Sequence, residues 1–153
     1  YRGGAEQKIR KYLVQNNFVD CIIQLPVNLF FGTSIATCIM VMKKGKADNK
    51  VLFIDASNEF VKATNNNILS DENLNRIVET FAERKDIEHF SRLVPFSEID
   101  ENDYNLSVST YVEAEDKREK VDIVKLNEEI KQIVAREQVL RDEIDKIIRE
   151  IEE

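Results

Sequence analysis

Phe18-Val19-Asp20-Cys21-Ile22-Ile23-Gln24-Leu25, closed by Pro26, is the stretch that decides the fold. A nearly continuous apolar run of this length, rich in β-branched residues, predicts a strand buried on both faces. Upstream, Ile9 and Leu13 stand four apart with Tyr12 beside them and charges opposite, which predicts an amphipathic helix from Glu6 to about Asn16. Downstream, the loop Pro26–Ser34 leads into a second buried strand from Ile35 to Met42. A turn carrying Lys43, Lys44, Lys46 and Lys50 reads as a solubilising hairpin, and Val51–Asp55 as a third strand. Helix, strand, loop, strand, turn, strand is an α/β order.

Beyond this block, Ser70 is placed to cap a helix from Asp71 to about Glu83, with Leu74, Ile77, Val78 and Phe81 as its apolar face. Ser91–Phe96 predicts a short strand interrupted by Pro95, and Ser97 a cap for one more helical turn. Asp103-Tyr104-Asn105-Leu106-Ser107 then leads into an extended stretch ending at Tyr111-Val112; Asp103 and Tyr104 are expected to hold a turn and fill a core. The tail has the clearest period. Ile123, Leu126, Ile130, Ile133, Glu137, Leu140, Ile144, Ile147 and Ile151 recur at alternating steps of three and four, the seam of a coiled coil over roughly four heptads. Glu137 is the polar residue of that seam, and if buried it needs a basic partner.

The bulk properties narrow the class. With 153 residues, 42% hydrophobic and 33% charged, the chain suits one domain with an appendage. No apolar run approaches the roughly 20 residues of a membrane helix, so a cytoplasmic protein without membrane partners is expected. Cys21 and Cys38 lie in apolar runs and read as small buried hydrophobes, with no metal site. His89 stands alone and is given no role. A net charge of −7 disfavours a self-sufficient DNA-binding module, because phosphate contacts need clustered Lys and Arg. Tyr1-Arg2-Gly3-Gly4 is a tight glycine loop followed at once by a helix, so the chain is expected to start midway through a fold.

Particular residues then point to a family. Arg2-Gly3-Gly4-Ala5-Glu6 with Ile9-Arg10, the run Val19–Pro26, and Asn28-Leu29-Phe30-Phe31-Gly32-Thr33-Ser34-Ile35 form the first part of the match. Val51-Leu52-Phe53-Ile54-Asp55-Ala56-Ser57, Asp103-Tyr104-Asn105-Leu106 and Tyr111-Val112 complete it. Together they resemble the segment downstream of the catalytic motif in the modification subunit of type I restriction-modification enzymes, which are N6-adenine DNA methyltransferases. The resemblance runs from Tyr1 to about Val112; the helical tail matches in type only.

What the resemblance implies is a parent enzyme that moves a methyl group from S-adenosylmethionine to adenine N6. Its fold class is α/β: the C-terminal part of a Rossmann-like methyltransferase fold (helix, parallel strand, antiparallel strand hairpin) followed by a long coiled-coil-like helix. The implied parts are residues 1–58 as the C-terminal lobe of the catalytic domain, 59–115 as a small α/β connector, and 116–153 as a helical assembly tail. The family's Asn-Pro-Pro-aromatic and glycine-rich motifs are missing, since Pro26 and Pro95 are the only prolines and no glycine cluster exists. No catalytic residue, bound cofactor or activity is therefore expected in this chain alone. Implied partners are a specificity subunit, a restriction subunit, and DNA through the complex.

In parallel α/β sheets the functional face lies at the carboxyl ends of strands, which puts the loop Pro26–Ser34 there. Reaching adenine N6 in a duplex requires flipping the base, and a flipped base needs a stacking surface. The resemblance offers Phe30 for that role, with Phe31 its close rival; the alternative is that both rings plug the sheet end. Arg2 and Thr33 are candidate DNA contacts, an exposed arginine being the bland alternative for Arg2. The tail seam suits docking on a helical specificity subunit, although packing on its own domain or homodimer formation would use the same pattern. A non-enzymatic module of α/β body and coiled coil is the rival for the whole chain. A nucleotide-binding protein is disfavoured by the lack of a phosphate-cradling glycine motif.

Overall fold

The computed structural model describes residues 3–115 and 123–152. The chain divides into two compact units, Tyr1–Glu115 and Asp116–Glu153. In the first, helix α1 (Ala5–Gln15) starts from Gly4, whose φ of 71° is a conformation that side-chain-bearing residues resist. Asn17 at φ 57° ends it and turns the chain into β1 (Val19–Gln24). Strands β2 (Cys38–Met42), β3 (Val51–Asp55) and β6 (Ser91–Val94) join it in a mixed sheet of order β2-β1-β3-β6, counting from β4 (Val61–Lys62) and β5 (Asn67–Ile68), which form a separate hairpin. β1 and β3 are parallel, whereas β2 and β6 run antiparallel on the outside.

The two central strands explain the continuous apolar runs. Side chains alternate across a strand, so Ile22 and Phe53 enter one core with Val94, Ile99, Tyr104, Val108 and Tyr111. Cys21, Ile23, Leu52 and Ile54 enter the other with Ile77 and Phe90. Residues 59–115, expected as a connector, thus supply part of both cores and are built into the same body. Helix α2 (Asp71–Glu83) contributes Ile77 and Phe81 to the second core. Its start is the expected one: the Ser70 side chain accepts from Asn73 N–H at 3.3 Å, and Asn73 Oδ1 accepts from Ser70 N–H at 3.0 Å.

Several expectations need correction. β2 begins at Cys38 instead of Ile35, and most of it, including Cys38, is exposed, because among the described residues only β1 pairs with it. Ile9 and Tyr12 of α1 stay exposed while Leu13 and Val14 dock, so the buried stripe is turned from the one the spacing suggested. Leu74 and Val78 of α2 are likewise exposed. Helix α3 (Phe96–Glu101) is capped at Pro95, not Ser97, and a 3-10 turn at Val108–Thr110 replaces the extended stretch. Asp103 and Tyr104 do hold a turn, both at positive φ, and Tyr104 is buried.

Lys46 is the sharpest reversal. It is no solubilising residue: its ammonium is buried and donates to the carbonyls of Val19 at 2.7 Å and Lys50 at 2.6 Å. A register shift between Val19 and Cys21 leaves buried Asp20 beside it, where the carboxylate meets Arg84 at 2.9 Å and Lys46 at 4.0 Å. Burial lowers the Lys46 pKa against the opposing pull of Asp20.

The same neighbourhood gives an alkaline signature. Burial, with Asp20 adjacent, raises the Cys21 thiol from 9.0 to about 12. The unfolded chain releases this proton first, so the stability it contributes is complete below pH 9.0 and is lost as pH rises toward about 12. Urea unfolding at about pH 8.5 and about pH 10.5 is expected to show the native chain losing on the order of 2 kcal/mol more than Cys21→Ala. Equal losses in the two proteins would remove the assignment.

The second unit is described by itself. Helix α4 (Ile123–Glu152) has 30 residues and an axial length of about 45 Å. Ile130, Ile133, Leu140, Ile144, Ile147 and Ile151 are all exposed along it. Glu137 ion-pairs with Arg141 at 2.7 Å within the helix. The side chains of Ile123 and Leu126 lie outside the described residues.

Candidate functional site

The candidate site stands at the carboxyl ends of β1 and β3, where Gln24 and Asp55 are partners in register. Leu25 N–H donates to Thr37 O at 2.8 Å, and Ala56 N–H to Gln24 O at 2.9 Å, which fixes where the chain leaves the sheet. Between Leu25 and Thr37 the loop is anchored by buried Pro26 and by Leu29, which packs on the second core. The next two side chains point to solvent to different degrees: Phe30 is 49% exposed and Phe31 is 97% exposed. A turn then closes the loop, with Thr33 N–H reaching Phe30 O at 3.4 Å and Gly32 at φ 77°. Such a φ admits glycine readily and other residues poorly.

A second element holds this loop from outside. Asn67, at the start of β5, donates its backbone N–H to Asn28 O at 2.8 Å and its side-chain amide to Val27 O at 2.8 Å. Asn66 Nδ2 donates to Phe30 O at 3.2 Å, and Asn28 Nδ2 donates back to Asn65 O at 3.1 Å. The hairpin is tied in turn to α2, since Glu59 accepts from Asn73 Nδ2 at 3.0 Å and ion-pairs with Arg76. As a stretch of sequence, Asn65-Asn66-Asn67 marks no more than a loop. The one signal available was the density of asparagine, a side chain suited to bonding backbone groups.

On the α1 face of β1 and β2 lies a cleft of about 400 Å³, lined in part by Glu6, Arg10, Gln24, Thr37, Asn105 and Ser107. Thr37 Oγ1 is buried there without a hydrogen-bond partner among the described residues. These residues come from four separate segments, so no spacing in the sequence could announce the cleft. Among the described residues, no group of three or more His, Cys, Asp or Glu side chains could hold a metal ion. What the arrangement offers chemically is an aromatic surface on a tethered loop whose end, at Thr37, lines a cleft of mixed polar and apolar character.

The sequence model of the family described as N-6 DNA Methylase matches residues 1–120. The chain belongs to the N-6 DNA methylase family. Among its curated relatives, the type I restriction enzyme MpnII methylase subunit of Mycoplasma pneumoniae is 48% identical over 153 residues, covering 99% of this chain and 28% of the relative. The MjaVII methylase subunit of Methanocaldococcus jannaschii is 41% identical over 150 residues, covering 94% of this chain and 26% of the relative. A crystal structure of the type I restriction-modification methyltransferase subunit from Streptococcus thermophilus superposes with a TM-score of 0.73 at 45% identity, over 74% of this chain and 24% of that one. This N-6 DNA methylase chain therefore spans about a quarter of the length of these relatives.

Within the methylase chain, the structure brings Phe30, Phe31 and Thr33 together on one loop. Thr33 Oγ1 already accepts from Ile35 N–H at 3.2 Å, which leaves its hydroxyl proton for any further contact. Arg2 lies outside the described residues. His89 closes a surface loop, its Nδ1 3.0 Å from Glu113 O. The tail residues Ile130, Ile133, Glu137, Leu140, Ile144, Ile147 and Ile151 belong to the other unit.

Proposed function

We propose that this chain is part of a type I restriction-modification DNA methyltransferase subunit that transfers methyl from S-adenosylmethionine to adenine N6. In it, residues 3–115 form the far wall of the target-base pocket and α4 the assembly handle. The observation that carries this reading is β2. Ile39, Met40 and Met42 are exposed apolar residues on a strand with one free edge, as suits a strand that is internal to a larger, Rossmann-like sheet. The opposite edge is blunted, since Leu93 N–H of β6 is taken by Asp86 Oδ1 at 2.6 Å and Ile87 bridges Ser91.

On this reading the loop Pro26–Ser34 meets DNA at the carboxyl ends of the strands, and Phe30 stacks on the flipped adenine. The half-covered ring is the better choice over Phe31, because a ring already held in place loses less freedom when a base lands on it. Thr33 and Arg2 serve as phosphate or sugar contacts, Arg2 from outside the described residues. The α4 seam docks in coiled-coil fashion on a specificity subunit, which with a restriction subunit completes a cytoplasmic complex. Phosphate attraction comes mainly from those partners, in keeping with the chain's charge of −7.

S-adenosylmethionine does not fit this chain by itself. Gly4, Gly32 and Gly45 each occupy a separate turn at positive φ, and none forms a cradle beside another. Methyl transfer is expected only from a polypeptide joining this chain to a segment with the glycine-rich and Asn-Pro-Pro-aromatic motifs, assayed with specificity subunit and radiolabelled cofactor. Titration calorimetry of the chain alone with S-adenosylmethionine should give no binding heat. Binding by the isolated chain, or inactivity of the joined polypeptide, would overturn the proposal.

A further inference from the structure

Apart from the packing of Pro26 and Leu29, the loop that carries Phe30 has little to hold it from within. Across residues 26–37 its backbone has the Thr33–Phe30 contact at 3.4 Å and the Ile35–Thr33 hydroxyl contact at 3.2 Å. Fixing each residue of a loop opposes roughly 1–2 kcal/mol of backbone entropy, so two weak local bonds leave such a segment free to wander. The hairpin tip changes that. Asn66 and Asn67 bind the carbonyls of Val27, Asn28 and Phe30, the residues that lead up to and include the ring-bearing position. Asn67 is buried, with 7% of its surface exposed, and Asn28 at φ 55° returns a bond to Asn65 O. The three bonds given by Asn66 and Asn67 all end on loop backbone, so the loop's own aromatic side chains stay free to face outward.

We propose that Asn66 and Asn67 are positioning residues for the target base: they hold residues 27–30 so that Phe30 is presented as a preformed stacking surface. The inference rests on the reading of Phe30 given above and adds to it the device that fixes the ring. A ring aligned in advance contributes its stacking when the base arrives, whereas a loose loop must first be ordered at the expense of binding.

The test uses the complete methylase subunit assembled with its specificity subunit and target DNA. Asn67→Asp keeps the side-chain shape and removes the donor to Val27 O. Hydrogen exchange is followed in the loop peptide, with β1 and β3 as internal references. Exchange of the loop is expected to rise about tenfold, the factor that follows from losing one buried hydrogen bond, while β1 and β3 stay protected. In parallel, 2-aminopurine at the target position should show base flipping reduced several-fold, with partial recovery when the target is mispaired and easier to flip. A general folding defect would not be relieved by a mispair.

Unchanged loop exchange overturns the clamp whatever happens to DNA. A loosened loop with normal flipping overturns the positioning role, and Phe30→Ala run beside it locates the failure. Normal flipping there too defeats the reading of Phe30, whereas impaired flipping there defeats only the positioning role of the asparagines. Should Asn67→Asp lose protection in β1 and β3, Asn66→Ala, at a less buried position, is judged by the same outcomes.

Discussion

Phe30→Ala is expected to lower the flipped-out population of the target adenine by roughly 5- to 150-fold, the range spanned by base–aromatic stacking of roughly 1–3 kcal/mol per base. The fold should survive, because the ring is half-exposed and absent from both buried cores. Overall DNA affinity should change less than flipping, since phosphate contacts elsewhere in the complex dominate it. 2-Aminopurine fluorescence at the target position in the assembled enzyme separates the two effects. Phe31→Ala serves as the comparison: its ring is 97% exposed, and its removal should cause the smaller loss. Flipping that remains normal in Phe30→Ala, with a clear loss in Phe31→Ala, would reverse their roles. Normal flipping in both would return the loop to a plug at the sheet end.

Deleting residues 123–153 is expected to abolish assembly with the specificity subunit while leaving the body folded. The structural grounds are that residues 1–115 form a compact unit of their own and that both cores are complete without α4. The seam residues Ile130, Ile133, Leu140, Ile144, Ile147 and Ile151 are each 48% exposed or more. Covering the open half of one such side chain recovers on the order of 1 kcal/mol, so this stripe and a matching one on a partner helix together supply on the order of 12 kcal/mol against an association cost of roughly 4–15 kcal/mol. Light scattering of the mixed subunits, with and without the tail, reads the result directly. A stoichiometric complex formed by the truncated chain would end the idea of an assembly handle. A tail that pairs only with itself would redirect it to homodimer formation.

The fold's centre was legible in the sequence because burial on both faces leaves a one-dimensional trace. Val19–Gln24 and Val51–Asp55 read as strands for that reason, and Ser70 marked the start of α2. β2 was harder: an apolar run declares what a strand can bury, but its exposure depends on which neighbours are present. Lys46 misled for the opposite reason. A lysine in a polar turn looks solvated until a register shift places Asp20 and two carbonyls around it. At the site, glycine, the apolar anchors and the two phenylalanines marked a loop at the end of β1. The hairpin that grips it stayed hidden, because bonds such as Asn67 to Val27 span 40 positions and link a side chain to backbone, which leaves no residue pattern.

The uneven edges of the sheet carry a practical consequence for anyone producing this chain alone. β6 is shielded by its own loop, but β2 shows a row of unpaired backbone groups flanked by Ile39, Met40 and Met42. An apolar edge of that kind can template further strands, and identical molecules can supply them by stacking edge to edge. Aggregation at high concentration would thus begin at Cys38–Met42 even in a correctly folded population. A charge such as Ile39→Lys would suppress it, at the expense of the edge that, on the proposed reading, joins a larger sheet.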